Sequence, residues 1–373
     1  MHGFVELLIE WPNPMTRIFN FCAGPAMLPQ PVLEKARDEF LDFQGLGMSV
    51  MEISHRSAAF DKVADNTEAC LRRLLSISDD YAVLFLAGGA TTQFAQVPLN
   101  LASSDRPGAY VVNGSWSKKA FAIANRLGFA HLAGSSEETG FKSIPPRREW
   151  DTEGDYAYLH YVSNETISGV QFRQPPDSHL PLVSDMSSDI LSRPVDVSQF
   201  GVIYAGAQKN IGQAGITLVI VRKDLLRDLS PTIPDLQSWK IQQEQGSRLN
   251  TPPTYAWYMA GLVFEWIEES GGVERMAELN AQKAGTLYEF LDNSNFYKND
   301  IPSEFRSHMN IPFQIVDESL HGRFINEAEA AGLSSLKGHR SVGGMRASIY
   351  NAMPIEGIEA LIAFMREFED RTG

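Results

Sequence analysis

Residues 202–212 read Val-Ile-Tyr-Ala-Gly-Ala-Gln-Lys-Asn-Ile-Gly, and a second apolar run, 216–221, follows them closely. The two apolar runs predict neighbouring buried strands, with Lys209 among small residues just after the first. Burial of an ammonium is costly, lowers its pKa and makes the amine nucleophilic toward a carbonyl. An exposed loop lysine is the alternative, and the flanking glycines and alanines argue against it.

An aspartate upstream also follows directly after an apolar run, as Lys209 does. The apolar run 181–184 ends at Asp185, 24 positions before Lys209. Ligands of parallel sheets gather at the carboxyl ends of strands, so both side chains are expected at one edge. A lysine that forms an imine and an acid that holds a pyridinium proton are the minimal protein set for pyridoxal phosphate. A helix-capping aspartate is the alternative for Asp185.

The wider pattern predicts an α/β fold with two domains. Short apolar runs alternate with helical segments up to Gly271-Gly272, as in a mainly parallel sheet covered by helices. A long helix, strands and further helices then predict a smaller α+β domain. The predicted units are an N-terminal extension over 1–14, a large domain over 15–270 and a small domain over 271–373.

Composition narrows the class of protein. The 373 residues are 43% hydrophobic and carry a formal net charge of −14, which argues against nucleic acid or an anionic membrane as partner. Only two cysteines occur, Cys22 and Cys70, so neither a disulfide framework nor a cysteine-based zinc site is expected, and no metal site is predicted. No signal peptide or membrane span is apparent, and we expect a cytoplasmic protein.

Three loops after predicted strands are candidates for a binding site. The glycine turn 86–92 opens a helix, where free N–H groups and the Thr91 hydroxyl suit an anion. Trp116 begins another helix and suits stacking on a heteroaromatic ring. Thr166 could donate to an oxygen of the ligand, and Glu165 could orient its neighbours. Each of the three has a purely structural alternative. The glycine turn could be an ordinary turn, Trp116 a core tryptophan and the loop of Thr166 a solvated loop.

Cations cluster in two segments of this acidic chain, 53–57 and 338–348. Arginine is the side chain suited to bidentate capture of a carboxylate or phosphate. Arg346 enters an apolar strand and therefore needs a partner, for which a structural ion pair is the alternative. The candidates for substrate binding are His55, Arg56, His339, Arg340 and Arg346.

Taken together and in order, these segments resemble the phosphoserine aminotransferases, a class V family of fold-type I pyridoxal-phosphate enzymes. The resemblance runs from about Ile18 nearly to the carboxyl terminus. It is carried by Phe19–Pro29, Glu52–Arg56, Pro98–Leu101, Gly206–Gly212, Asn250–Pro253, Gly338–Arg340 and Arg346–Pro354. It implies a large domain with a mainly parallel, seven-stranded type of sheet and a smaller α+β domain at the carboxyl end.

The resemblance also implies site residues. Lys209 is expected to bind the cofactor covalently and to move a proton, and Asp185 to pair with the pyridinium nitrogen. The remaining cofactor contacts are implied for Ala90, Thr91, Trp116, Thr166, Gln208, Asn250 and Thr251. Asn250 and Thr251 are expected to reach the site of a second subunit, which implies a homodimer with shared active sites. Arg346 is expected to take the α-carboxylate, and His55, Arg56, His339 and Arg340 the phosphate or glutamate side chain.

The implied reaction is transamination between L-glutamate and a phosphorylated hydroxy or keto acid. It gives O-phospho-L-serine and 2-oxoglutarate from 3-phosphohydroxypyruvate in serine biosynthesis, and a related step of pyridoxine synthesis is also implied. One rival is another class V enzyme of the lyase or desulfurase type, which needs a late cysteine that this chain lacks after Cys70. The other rival is a phosphometabolite-binding protein without turnover.

Overall fold

The computed structural model describes residues 17–373, so the predicted extension over 1–14 lies outside the described residues. The helices are α1 Gln30–Asp38, α2 Ala58–Leu74, α3 Gly89–Leu101, α4 Ser115–Arg126, α5 Trp239–Glu244, α6 Thr254–Glu269, α7 Gly272–Asp292, α8 His321–Ala330 and α9 Ile355–Thr372. The strands are β1 Phe19–Asn20, β2 Tyr81–Leu86, β3 Gly108–Val112, β4 Ala130–Ser135, β5 Leu159–Val162, β6 Asn164–Glu165, β7 Val170–Gln171, β8 Leu182–Asp185, β9 Phe200–Gly206, β10 Thr217–Arg222, β11 Tyr297–Lys298, β12 Asn310–Ile315, β13 Leu333–Ser334 and β14 Met345–Ser348.

A seven-stranded sheet forms the centre of the molecule, in the order β2-β10-β9-β8-β5-β3-β4. Within it β10 runs antiparallel to both of its neighbours, and the other pairings are parallel. The predicted fold class, α/β with a mainly parallel seven-stranded sheet, is confirmed. Strand β4 was not predicted, because it is an edge strand whose residues are mostly half-exposed or exposed and carry no apolar alternation.

The sheet is buried on both faces, as a parallel sheet covered by helices must be. Successive side chains of β2 point to opposite faces of the sheet. On one face, Val83 and Phe85 pack with α2 and α6. Leu84 and Leu86 pack with α3 and α4 on the other. Because β8 and β9 are central and buried, their carboxyl ends hold Asp185 and the Lys209 loop in a fixed relation.

The C-terminal part has its own sheet and core. Strands β11, β12 and β14 form an antiparallel sheet, and α8 and α9 pack on it. Strand β1 pairs in parallel with β13, and Phe21 is buried in this second core. Strand β1 and Phe21 therefore pack with the C-terminal unit, although the sequence assigned them to the large domain over 15–270, whereas α1 packs in the core of the large sheet. The other domain boundaries remain predictions.

The apolar pattern of the sequence predicts a helix over 31–43 and a strand over 156–162, and both elements are shorter in the structure. Helix α1 ends at Asp38, because the chain turns there and Gln44 adopts a left-handed conformation in a short 3-10 turn. Strand β5 begins only at Leu159. The segment after α1 leaves several apolar side chains exposed: Phe40, Leu41, Leu46, Met48 and Met51. Over residues 17–373, none of the helices is both long enough and apolar enough to cross a membrane.

Candidate active site

A cavity of about 490 Å³ lies at the carboxyl ends of β5, β8 and β9, beside the first turns of α3 and α4. It brings together seven residues that the sequence predicted for the cofactor. These are Ala90, Thr91, Trp116, Thr166, Asp185, Gln208 and Lys209.

Lys209 is the central group of this cavity. Only 8% of its surface is exposed, and its Nζ donates a hydrogen bond to Thr166 Oγ1. The pKa of Lys209 is lowered to about 8, mainly by burial; the charge of Asp185 opposes this lowering, and the charge of Arg346 contributes to it. The Nζ atom lies 5.9 Å from the centroid of the Trp116 ring. The alternative of an exposed loop lysine is therefore wrong.

Asp185 ends β8 and is buried, with 4% of its surface exposed. Its Oδ1 accepts a hydrogen bond from the backbone N–H of Ser187 at 2.8 Å. Burial raises the pKa of the Asp185 carboxyl, and the hydrogen bonds from Ser187 and the charge of Lys209 oppose that rise. The carboxyl thus fixes the following turn, as a cap would, and also faces the cavity.

The Glu165 carboxylate fixes the position of Trp116. It is fully buried and accepts hydrogen bonds from Trp116 N at 3.0 Å, Ser117 N at 2.8 Å and Ser117 Oγ at 2.7 Å. Burial raises the pKa of Glu165, and these donors lower it. A Cβ at Gly114 would come within 2.2 Å of the Glu165 Cδ, so the contact requires glycine there. The expectation that Glu165 orients its neighbours agrees with this geometry.

The first turn of α3 supplies an anion-binding end to the cavity. Gly88 adopts a φ of +103°, which turns the chain from β2 into the helix. The first N–H groups of a helix have no partner within it, and the helix dipole favours a negative charge there. Ala90 and Thr91 line the cavity at this point, whereas the Thr92 hydroxyl donates to Gly88 O at 2.8 Å.

This donor set fits pyridoxal phosphate. The α3 terminus suits the phosphate, Trp116 offers an aromatic wall, Lys209 is an amine of lowered pKa and Asp185 a buried carboxyl. Trp116 Nε1 and Asn164 Oδ1 are buried and have no hydrogen-bond partner among residues 17–373. Unpaired buried polar atoms are uncommon, and a polar ligand in the cavity would account for them.

The cavity also contains residues that sequence reasoning did not select. Gly89, Val162, Asn164, Ser187 and Ser188 line it. Ser187 and Ser188 follow Asp185 at the strand end, which is a usable signal, and Asn164 follows β5 in the same way. Asn164 Nδ2 donates to Ser188 Oγ and to Asn310 Oδ1, each at 2.8 Å, so this amide links the cavity to β12.

Arg346 and His339 line a neighbouring cavity of about 580 Å³ between the two parts of the chain. Arg346 Nη1 lies 3.4 Å from the Thr166 carbonyl oxygen, which places the guanidinium beside the cofactor cavity. Among residues 17–373 it forms no ion pair, its Nε has no partner, and burial lowers its pKa. The structural ion pair that was the alternative for Arg346 is therefore absent from the described residues. Arg340, next to His339, is exposed.

The remaining predicted residues lie outside both cavities. Arg56, Asn250 and Thr251 are exposed, and His55 is half-buried. The two segments are neighbours, because Arg248 Nη1 donates to the His55 carbonyl oxygen at 3.2 Å. Within the single chain these residues line neither of the two cavities.

Comparison with known proteins agrees with this geometry. The family model of class-V aminotransferases matches residues 18–361. A phosphoserine aminotransferase of Laribacter hongkongensis is 56% identical over 95% of this chain and 99% of that protein. The chain belongs to the phosphoserine aminotransferase family. The family predicted from the sequence motifs is thus confirmed, as are the aminotransferase class and the pyridoxal-phosphate cofactor.

Solved structures of this family superpose closely. The phosphoserine aminotransferase from Bacillus circulans subsp. alkalophilus has a TM-score of 0.94 and 46% identity, covering 96% of this chain and 99% of that one. The pyridoxal-phosphate-bound phosphoserine aminotransferase from Trichomonas vaginalis has a TM-score of 0.89 and 40% identity, covering 94% of this chain and 100% of that one.

Proposed function

We propose that this chain transfers an amino group between L-glutamate and 3-phosphohydroxypyruvate, giving 2-oxoglutarate and O-phospho-L-serine, as a step of serine biosynthesis. One observation carries the substrate assignment. Arg346 is half-buried near Lys209 and has no acidic partner in the described part of the chain. A partly buried guanidinium without a counter-ion is suited to a substrate carboxylate. The high identity to phosphoserine aminotransferases supports the same substrates.

Pyridoxal phosphate, when bound, supplies a carbonyl that accepts the amino group and a ring that withdraws electrons. The residues of the chain have separate tasks around it. Lys209 would hold the cofactor and would move the proton of the substrate Cα, a role that its pKa of about 8 suits near neutral pH. Asp185 would pair with the ring nitrogen, and Trp116, whose backbone N–H is bound by Glu165, would offer its indole to the ring.

The phosphorylated end of the substrate needs cationic or hydrogen-bonding side chains near Arg346. We propose His339, which lines the same cavity, and the exposed Arg340 for this role. Either phosphorylated acid, that of serine synthesis or that of pyridoxine synthesis, carries the carboxylate and phosphate that such a set binds. The desulfurase alternative lacks its late cysteine, and the pair Lys209 and Asp185 argues against a protein without turnover.

A spectroscopic titration tests the function. Purified protein with cofactor should show a visible absorbance band that L-glutamate bleaches and 3-phosphohydroxypyruvate restores. A band that glutamate leaves unchanged would favour a lyase or a binding protein, and absence of any band would contradict the cofactor assignment.

We also propose that two copies share their active sites. His55 and Arg56 lie next to the segment of Asn250 and Thr251, outside the cavities of their own protomer. The exposed apolar side chains of residues 40–51 precede His55 directly and offer a surface that a second copy would cover. The segment of His55 and Arg56 and the segment of Asn250 and Thr251 would then both reach the active site of the second copy. The free cysteines Cys22 and Cys70 suit a reducing cytoplasm, where we place the protein.

Hybrid dimers test this sharing. Lys209→Ala and Arg56→Ala protomers are each expected to be poorly active alone, whereas mixing them should restore activity, because one site of the hybrid holds both native residues. Leu41→Asp, at a side chain that is 80% exposed, should prevent the recovery by separating the protomers, as sedimentation would show. No recovery on mixing proven hybrids would mean that each site is built within one protomer.

A further inference from the structure

A second buried lysine, outside the cofactor cavity, has no role in the chemistry described so far. Lys283 lies on the inner face of α7, and only 3% of its surface is exposed. No carboxylate pairs with it among residues 17–373. Burial of an unpaired ammonium is costly, and here burial lowers the pKa of Lys283 to about 7. Such a cost must be offset by specific contacts to the charged group.

The ammonium binds one turn of backbone. Lys283 Nζ donates to the carbonyl oxygens of Ile349 at 3.1 Å, Tyr350 at 2.8 Å and Met353 at 3.0 Å. An ammonium has three N–H donors, and each meets one oxygen. Three converging carbonyl oxygens resemble the ligand set of a hard cation, so Lys283 takes the place of an ion.

This turn connects the substrate side of the active site to the Lys209 loop. It follows β14 directly, and β14 carries Arg346. The backbone N–H of Asn351 donates to Asn210 Oδ1 at 3.0 Å, and Asn210 adjoins Lys209 in the chain. Asn280, one helical turn before Lys283, donates to Asn351 Oδ1 at 2.8 Å. Two polar side chains of α7 thus hold the turn that reaches both functional groups.

We propose that Lys283 is a positioning residue for the transamination: its ammonium acts as a built-in cation that fixes the turn 349–353 and so sets Arg346 and Asn210 relative to Lys209. The inference rests on the proposed roles of Arg346 and Lys209, which the activity of the unaltered enzyme tests separately. A wrong placement of reacting groups by about 1 Å can cost roughly 10²-fold in rate.

Chemical rescue of Lys283→Ala tests the proposal with the holoenzyme. The variant leaves a space facing three carbonyl oxygens. We expect kcat/KM to fall by about 10²-fold, with a raised KM for L-glutamate. Ammonium or methylammonium should reverse most of the loss, whereas tetramethylammonium, which is large and has no N–H donor, should not. Gln282→Ala, at the exposed neighbouring position, should retain the kinetics of the unaltered enzyme.

A folded Lys283→Ala variant with unchanged kinetics would overturn the proposal, and so would a loss that ammonium does not relieve. If the variant does not fold alone, ammonium and not tetramethylammonium must restore its folding, and failure to do so would overturn the proposal. Inactivity of the unaltered enzyme would instead contradict the proposed function.

Discussion

Lys209→Ala is expected to reduce transamination by about 10⁴-fold or more, because in the proposed mechanism the substitution removes both the covalent attachment point of the cofactor and the proton-transferring group. The environment of the lysine supports this size of effect. Nζ is the amine that lines the cofactor cavity, and burial brings its pKa to about 8. Stopped-flow absorbance during single turnovers with L-glutamate measures the loss directly.

A matched variant separates this role from the general loss of a positive charge near the ring. Lys119 Nζ lies 5.5 Å from the centroid of the Trp116 ring, close to the 5.9 Å of Lys209, but its side chain is exposed. Lys119→Ala should therefore retain activity within a few-fold. If both variants lost activity equally, charge above the indole and not amine chemistry would be the cause.

The sequence was most informative where strand ends carry the chemistry. Asp185 and Lys209 follow apolar runs, and a parallel sheet brings its carboxyl ends to one edge. Their proximity could therefore be predicted without coordinates. The pairing of β1 with β13 could not, because two-residue strands carry no periodic signal and join segments more than 300 positions apart. The edge strand β4 was not predicted either, because its sequence lacks an alternation of apolar and polar residues.

The polar contacts between the two parts of the chain were also beyond the sequence. Asn164 is an ordinary loop residue in sequence, yet its amide joins the cofactor cavity to Asn310 on β12. Lys283 appears in an amphipathic helix among charged residues and gives no sign of its three carbonyl partners. Such contacts depend on tertiary packing, which fixes the orientation of each side chain, and no local spacing encodes them. The substrate end of the site was for this reason less completely predicted than the cofactor end.

Asp185→Asn is the second variant for which we expect a large effect, because it preserves shape and removes only the charge. Loss of one partner of a buried charge pair costs about 2–5 kcal/mol, so kcat should fall by roughly 30- to 5,000-fold. Asp185 is also the strongest influence raising the pKa of Lys209, so its neutralisation should move that pKa below about 8. Cofactor attachment to the apoenzyme, followed by absorbance, should then reach its maximal rate at a lower pH than in the unaltered enzyme.

The control for Asp185→Asn is the same substitution at a second buried carboxylate. Asp189 lies four residues later, does not line the cofactor cavity, and bonds to Gln171 Nε2 at 3.1 Å and Arg193 Nη2 at 3.4 Å. Asp189→Asn should lower the midpoint of thermal unfolding, because it weakens the ion pair with Arg193. Among the carboxylates that raise the pKa of Lys209, Asp189 has the smallest influence and Asp185 the largest. The pH dependence of cofactor attachment should therefore shift much less than in Asp185→Asn, and kcat should stay near that of the unaltered enzyme. A fall in kcat of equal size in both variants would show that the effect of Asp185 arises from stability, and would contradict its assignment to the ring nitrogen.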